Sequence, residues 1–492
     1  MSACKERLKD VSLFRKLYIV DLFFCNIAFL QIPAYAFLFF LFIWGVYLVV
    51  YKQKRDNTLH NLRFGLWIGG FLAVSAVSIL CNISVTTLHS IIMFLHTLIC
   101  FLIFYGMHTE RNFDFKDELY TIARLIVYIS TVANIIGIFC LMCGIKFEWF
   151  WIKFTIYENR FTGIFVNPNL LGFVSVVSIV CCHMLYKRDF MKAVNRTRVS
   201  KIWIIACVST NVFSLILCDS NASMVLALGY AIAYVVYTFF ADKAEIFKSE
   251  NKVSRSKVFV KVISLFFVGT FLVSSVLMFR GICQAGFSIV ISKTNSLINL
   301  ITEDNILVDG QNDFEQKEPQ KEVTFSHENE KTDSGRFQLW QESVNLFKLS
   351  PVIGISNGNI VLYSEKYANG ILSYSYHKND LHNGFLTVLI STGALGFILF
   401  CIFGFRFTKH SAQHLFLQKK TYLTDIYPCL FSFLFAYLIY AFFEKALLYD
   451  ISFMVMWFWL MMGYISCYVV KVEPALKKQY IFNKKYLKRT LL

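Results

Sequence analysis

Charge is what this sequence has least of. Only 16% of its 492 residues are Asp, Glu, Lys or Arg, where a soluble chain carries about a quarter. In place of charge it holds 57% apolar residues, with phenylalanine alone contributing 52, and a mean hydropathy of +0.55. That excess is too large for a globular core, which excludes the two to four soluble domains that the length would otherwise suggest. A disulfide framework is also missing. Most of the fourteen cysteines lie inside apolar runs, as do Cys25, Cys100, Cys181, Cys182 and Cys207. Cys140-Leu-Met-Cys143 has no second pair to complete a zinc site and reads as membrane packing. No small-residue cleavage site follows the first hydrophobic segment, so no cleavable signal peptide is expected. The two halves, 1–246 and 247–492, show no repeat of the kind transporters are built from.

What remains is an all-α polytopic membrane protein. Apolar stretches of about 20 residues, the length a spanning helix needs, run near 64–81, 87–107, 119–143, 162–186, 202–219, 223–241, 258–280, 384–406, 422–443 and 448–470. The stretch 17–50 is long enough for one helix or a tight pair. Basic residues decide between them, because loops rich in Lys and Arg stay cytoplasmic. Lys5, Arg7, Lys9, Arg15 and Lys16 precede the stretch and Lys52, Lys54, Arg55 and Arg63 follow it. The chain therefore crosses twice, with the bend expected at Pro33, and about 12 transmembrane helices result. Segments 108–118, 187–201, 242–257 and 407–421 and the basic tail 471–492 fall on the cytoplasmic side with both termini. The net charge of +16 is thereby mostly an orientation signal, and no nucleic-acid partner is implied. Arg124, two turns into its helix, reads as a snorkelling residue.

The chain divides into helices 1–9 over 1–280, a large extracytoplasmic loop over 281–383, helices 10–12 over 384–470 and the tail. The loop holds 8 Lys+Arg against 13 Asp+Glu. Within it, 302–334 is acidic and aperiodic and reads as a flexible insertion. Phe337, Trp340, Val344 and Phe347 fall at helical spacing behind Asp333 or Ser334 as N-cap, and Pro351 and Gly354 end that helix. A second outer loop, 144–161, is rich in aromatics and carries Lys153. It reads as an interfacial belt on the headgroups.

Unusual polar residues gather at the outer boundary. Arg160-Phe-Thr-Gly-Ile-Phe-Val-Asn167-Pro168-Asn169-Leu-Leu-Gly172 enters the helix 162–186. Asn-Pro-Asn there is either a break lining a polar cavity or a helix N-terminus with Pro in its first turn. Asp219-Ser220-Asn221-Ala222-Ser223 forms a tight turn. The large loop carries Arg336 and Trp340, then Pro351 and Gly354, then His377, Asp380 and His382-Asn383-Gly384 at a helix entrance. Glu444-Lys445 read as a solvated turn, with Glu444 a candidate for orienting an acceptor.

These segments, in this order, resemble the O-antigen ligase and polysaccharide polymerase superfamily (the Wzy/WaaL-like membrane proteins). Arg160 to Gly172 matches its Arg-x-x-Gly-x-Phe-x-Asn-Pro-Asn-x-x-Gly helix entry. Arg336, Trp340, Pro351 and Gly354 match its external Arg-x-x-x-Trp helix and Pro-x-x-Gly. His382-Asn383 and Gly393-Ala-Leu-Gly396 match its closing His-Asn and the Gly-x-x-Gly of the next helix. The resemblance covers roughly 160–230 and 334–465. One departure stands out: the family often has Ser-Arg where this chain has Ser220-Asn221, so either Arg160, Arg280 or Lys153 supplies that charge or the donor is held differently.

The resemblance implies glycosyl transfer from an undecaprenyl-pyrophosphate (polyprenyl) donor at the outer leaflet of the bacterial inner membrane. Arginine suits bidentate contact with phosphate oxygens, which makes Arg160, Arg280 and Arg336 candidates for the pyrophosphate. His382 is the candidate general base, with His377 the runner-up. Asn167, Asn169, Asn383 and Trp340 complete the expected substrate site. No metal or other cofactor is called for, and no metal-ligating cluster is evident on this face. Expected partners are lipid-linked oligosaccharide donor and acceptor, the bilayer, and a chain-length regulator or flippase. A polymerase of repeat units is favoured over a ligase passing finished glycan to lipid A core or protein, and a transporter or flippase is the reading from another class.

Overall fold

The computed structural model describes residues 6–241 apart from 111–112, 144, 146, 150–151, 158–159 and 197–198, seven positions between 278 and 293, and then 336–374, 380–417 and 425–481. Among the described residues, seven helices are long and apolar enough to cross a membrane, and Gly65–Cys81, Lys201–Leu217 and Tyr427–Tyr440 are apolar but shorter. The expected span 258–280, apart from Met278, and the acidic insertion 302–334 lie outside the described residues.

The first hydrophobic stretch is a helical hairpin. α1 (Val11–Phe24) and α2 (Gln31–Asp56) pack antiparallel, with Phe14 and Trp44 rings 5.3 Å apart and the Trp44 indole donating to the Leu8 carbonyl at 2.8 Å. The bend lies at 25–30 and not at Pro33. Pro33 falls in the first turn of α2, where its missing N–H leaves no bond unmade. α3 (Gly65–Cys81) and α4 (Thr87–Leu98) follow. α4 continues as a π turn, Ile99–Phe104, and a 3₁₀ turn, Tyr105–Thr109. α5 (Phe115–Met142) leads to a feature the sequence did not signal. The loop expected to lie flat as an aromatic belt is instead an antiparallel three-stranded meander, β1 (Phe147–Trp149), β2 (Ile152–Tyr157) and β3 (Arg160–Gly163). It docks on the α1–α2 bend, where Ala28 N–H donates to Ile164 and Val166 N–H to Asn26.

α6 (Pro168–Tyr186), α7 (Lys201–Leu217) and α8 (Asn221–Ala241) come next. α6 is central, packed by α5, α7, α8 and later α12. The described segment 336–374 forms α9 (Arg336–Leu349) and α10 (Ile360–Tyr367). α11 (Gly384–Leu417), α12 (Tyr427–Tyr440) and α13 (Phe453–Ile481) complete the bundle. α11 runs well past the expected end at 406, so the first part of the predicted loop 407–421 is helix.

The end of the bundle away from the external segment is held by buried charge. Arg15 forms a bidentate pair with Glu118 (2.9 Å on each arm) and reaches Glu110 at 2.7 Å, while Lys52 meets Glu110 at 2.8 Å. The carbonyls of Ile103 and Gly106, in the π and 3₁₀ turns, accept from Arg15 and Lys52, and Tyr464 donates to Glu118 at 3.0 Å. Two cations facing two carboxylates leave no net charge, the condition under which such groups tolerate burial. Arg15 and Lys52, counted above as loop charges, are thus structural. Arg124 is exposed, as a snorkelling residue would be.

At the other end, α11 is broken. Gly393 sits at φ +65° inside it, about 14 Å from Gly384 at 1.5 Å per residue. The segment after α9 enters this break. Ile355 and Ser356 N–H groups donate to the Ile390 and Ser391 carbonyls at 2.9 and 3.1 Å, while Ala394 and Leu395 donate to Pro351 and Val352 at 2.8 and 3.1 Å. The backbone groups released by the kink are thereby satisfied within protein, as a membrane interior demands. Both glycines are required here. A Cβ on Gly393 would lie 2.3 Å from the Val352 carbonyl, and one on Gly354 (φ +74°) would lie 2.5 Å from Gly393 N. This explains physically why Pro-x-x-Gly and Gly-x-x-Gly occur together.

Gly393→Ala is expected to destabilise the protein by more than about 2 kcal/mol, combining the left-handed backbone cost with the backbone clash. Gly404, with nothing near its Cβ position, is the control. Thermal unfolding in detergent should show a lower midpoint for Gly393→Ala and an unchanged or raised one for Gly404→Ala. Equal midpoints would refute the clasp.

Candidate functional site

The helix entrances bring together what the sequence scatters over nearly 300 positions. Asn167 is the N-cap of α6, its side chain accepting from the Asn169 N–H at 2.7 Å, and Pro168 occupies the first helical position. Asn-Pro-Asn is therefore a helix start and not a mid-helix break. The cap also projects Asn169 outward. Arg160, at the beginning of β3, donates to Asn169 Oδ1 at 2.8 Å and, through Nε, to the Cys218 carbonyl at 3.1 Å. The α7–α8 turn is thus part of the site wall. Ser223 donates to the Asn169 carbonyl at 3.2 Å, and Asp219 at φ +52° makes the tight turn.

From the other side, α11 presents His382. Asn383 caps this helix, accepting from Phe385 and Leu386 N–H groups at 3.0 Å. Gly384 N–H donates to the carbonyls of Ala441 and Glu444, at 2.8 and 3.0 Å, which fixes the helix entrance on the α12–α13 turn. His382 takes φ +45°, with its N–H held by Asp380 Oδ1 at 2.8 Å.

The centre is Glu444. Its Oε2 lies 3.3 Å from His382 Nδ1, its Oε1 accepts from Asn169 Nδ2 at 3.2 Å, and the Arg336 guanidinium is 3.7 Å from Oε1. Its side chain is only 6% exposed. The reading of Glu444 as a solvated turn is therefore wrong. One signal could have found it: it is the only carboxylate between Asp425 and Asp450, and an isolated charge in an apolar run demands a partner.

α9 carries Arg336 and Trp340, but its buried face is not the expected one. Leu339, Glu342, Ser343 and Leu346 face inward, whereas Phe337 and Val344 are exposed. Glu342 can be buried because its carboxylate accepts from the Ser364 hydroxyl at 2.5 Å and from the Asn369 N–H at 3.1 Å. A small apolar cluster around Leu339, Leu346, Ile355, Leu372, Leu381 and Ile390 joins α9 to α11. Arg336 Nε and Trp340 Nε1 are buried donors that have no acceptor among the described residues. Arg280 and His377 lie outside the described residues, as does the Lys153 side chain.

Electrostatics tune the histidine. Burial works to lower the His382 pKa, and Arg336 adds to that. The hydrogen bond to Glu444 and the charges of Asp380 and Glu444 outweigh both, so the net shift is upward from 6.5. With Nδ1–H donating to Glu444, Nε2 becomes the basic nitrogen. Asp380, His382 and Glu444 also place ligand atoms within 4.8 Å of one another, a cluster the sequence did not reveal. Those residue types suit a divalent cation, but the Arg336 guanidinium beside the same carboxylate opposes a second positive charge there.

A polytopic helical membrane protein with a polar cluster at the helix entrances around Glu444 is the class this fold defines. Residues 170–401 match the family model described as O-antigen ligase. This match supports the O-antigen ligase and polysaccharide polymerase superfamily for the chain, and with it glycosyl transfer of the ligase or polymerase type on lipid-linked glycans. Arg336, Trp340, His382 and Asn383 fall inside the matched span, while Arg160, Asn167 and Glu444 fall outside it. No curated protein matches the chain.

Replacing Glu444 by Gln removes the negative charge but keeps an acceptor for Nδ1–H. The His382 pKa should then fall from its raised value. NMR titration of ring-labelled histidine in wild type and Glu444→Gln checks this, and an unchanged His382 titration would refute the pairing.

Proposed function

We propose that the protein joins polyprenyl-pyrophosphate-linked oligosaccharide repeat units into a surface polysaccharide, with the Glu444-centred site at the outer leaflet of the inner membrane. The observation that carries this reading is the convergence of His382, Arg336 and Asn169 on one buried carboxylate, with Arg160 bonded to the same Asn169. Glycosyl transfer from such a donor needs a base for the attacking hydroxyl and cationic donors for the departing pyrophosphate.

His382 Nε2 takes the proton of the acceptor hydroxyl as its oxygen bonds to the anomeric carbon. The bond from that carbon to the pyrophosphate oxygen breaks, and the electron pair leaves with the pyrophosphate. Displacement on the opposite face inverts the anomeric centre. Glu444 holds the imidazole by Nδ1–H and stabilises the imidazolium that forms, the role a buried carboxylate plays behind a catalytic histidine. Arg336 supplies cationic N–H donors to the leaving group, and the unmet Arg336 Nε and Trp340 Nε1 donors add to that demand for acceptor oxygens. Arg160 reaches the α7–α8 turn through the Cys218 carbonyl. That is where the family often carries an arginine and this chain has Asn221, so Arg160 takes its place. The exposed apolar residues Phe337 and Val344 on α9 give the isoprenoid tail a flank.

The family description favours a second reading, transfer of finished glycan to lipid A core or protein, which uses the same chemistry with another acceptor. The glycan profile of a deletion strain separates them. Single repeat units on the final acceptor indicate the polymerase, and long lipid-linked polymer left untransferred indicates the ligase.

His382→Ala should lower turnover of lipid-linked oligosaccharide by about 10²- to 10⁴-fold, the usual contribution of a general base. Arg336→Ala and Arg160→Ala should weaken donor binding. In wild type the rate should fall as pH drops through the raised His382 pKa, because only the neutral imidazole accepts a proton. Glu444→Gln should slow the reaction and move that acid limb to lower pH. A His382→Ala protein that inserts normally and still makes long polymer would remove the base assignment.

A further inference from the structure

The bundle carries a second feature built for a ligand, far from His382. Beside the packed pair α3 and α11, Trp67, Ile398, Cys401 and Phe405 line a cavity of about 890 Å³ whose walls also include Arg406, Lys409 and His410. It opens outward, with Ile398 54% and Phe405 70% exposed. Arg406 lies 22 residues along α11 from Gly384, at most about 33 Å at 1.5 Å per residue because the helix is kinked between them at Gly393. That places it toward the opposite end of the bundle from His382. The Arg406 guanidinium is held 5.1 Å from the centre of the Trp67 ring, and His410 packs against Phe64 at 5.5 Å. Arg406 is therefore placed by an aromatic partner and does not simply trail into solvent.

Neither wall can neutralise them. No aspartate or glutamate occurs between Asp56 and Glu110, which spans α3 and α4, or between Asp380 and Asp425, which spans α11. A ring-held arginine and a lysine at the headgroup level of an apolar groove call for an anion that brings its own hydrocarbon.

We propose that this groove binds an anionic phospholipid, with an acyl chain along Ile398, Cys401 and Phe405 and the phosphate at Arg406 and Lys409. Arginine offers paired N–H donors to phosphate oxygens and lysine a mobile ammonium, a combination suited to a singly charged headgroup. The catalytic reading is not needed for this site, which lies on a different helix face and at the opposite end.

Native mass spectrometry and thermal unfolding of the full chain in detergent test it, with phosphatidylglycerol and phosphatidylcholine as the added lipids. Phosphatidylglycerol should be retained and should raise the unfolding midpoint, and phosphatidylcholine should do neither. Arg406→Gln with Lys409→Gln should weaken phosphatidylglycerol retention roughly tenfold or more while the lipid-free midpoint stays that of wild type. Cys401→Trp, which fills the groove and leaves the cations, should also weaken it. Equal retention of the two lipids, or wild-type retention by the double variant, would overturn the proposal. Displacement of phosphatidylglycerol by inorganic phosphate, or a preference for polyprenyl phosphate over it, would equally reject a phospholipid occupant.

Discussion

A single buried carboxylate organises the end of this molecule where the helix entrances of α6, α9 and α11 meet. Glu444 meets a histidine, an asparagine and an arginine that belong to three different helix entrances. A carboxylate taken out of water is costly unless hydrogen-bonded or paired. Each of those entrances therefore gains by keeping its position relative to the α12–α13 turn. The caps supply the precision: Asn167 fixes the first turn of α6 and Asn383 that of α11. Helix starts already need side-chain acceptors for their orphan N–H groups, and here the capped starts also aim the reactive side chains.

Arg336 depends on a different constraint. It sits on an external helix with a small core of its own, joined to the bundle mainly through the α11 kink. Gly354 and Gly393 let two backbones approach closely enough to exchange four hydrogen bonds. Ser356 and Asn359 extend the attachment to Ser90 and Asn82, at the facing ends of α4 and α3. α9 is thus anchored within the bundle and not only at its surface, which is why its Arg336 can be held against Glu444.

Much of this was legible in residue types. Arg160, Asn167, Asn169, Arg336 and His382 stand out because polar groups at the edge of apolar runs are expensive, and their order carried the family resemblance. What could not be read was which groups face each other. The apolar repeat Phe337, Trp340, Val344 and Phe347 announced α9, but only Trp340 and Phe347 pack inward, because Glu342 and Ser343 are buried with partners that only the fold supplies. Arg15 and Lys52 looked like loop charges because their partners, Glu110 and Glu118, lie more than fifty residues away. The 25–30 bend escaped notice because Pro33, the conspicuous residue, suits a helix start as well as a break. Strands hidden in 147–163 were masked by aromatic residues that suit a membrane interface equally well.

Glu444 shared between Arg336 and His382 also bears on the proposed chemistry. Arg336 lowers the proton affinity of His382 and Glu444 raises it. A pyrophosphate that draws the Arg336 guanidinium onto its own oxygens weakens the Arg336–Glu444 contact, which at 3.7 Å is already loose. More of the carboxylate's charge then acts on the imidazole, and the phosphate adds negative charge of its own. On the proposed chemistry, His382 would be a stronger base with the donor in place than without it. An acceptor hydroxyl would therefore be activated chiefly in the loaded site, and the arrangement needs no moving part larger than one arginine side chain.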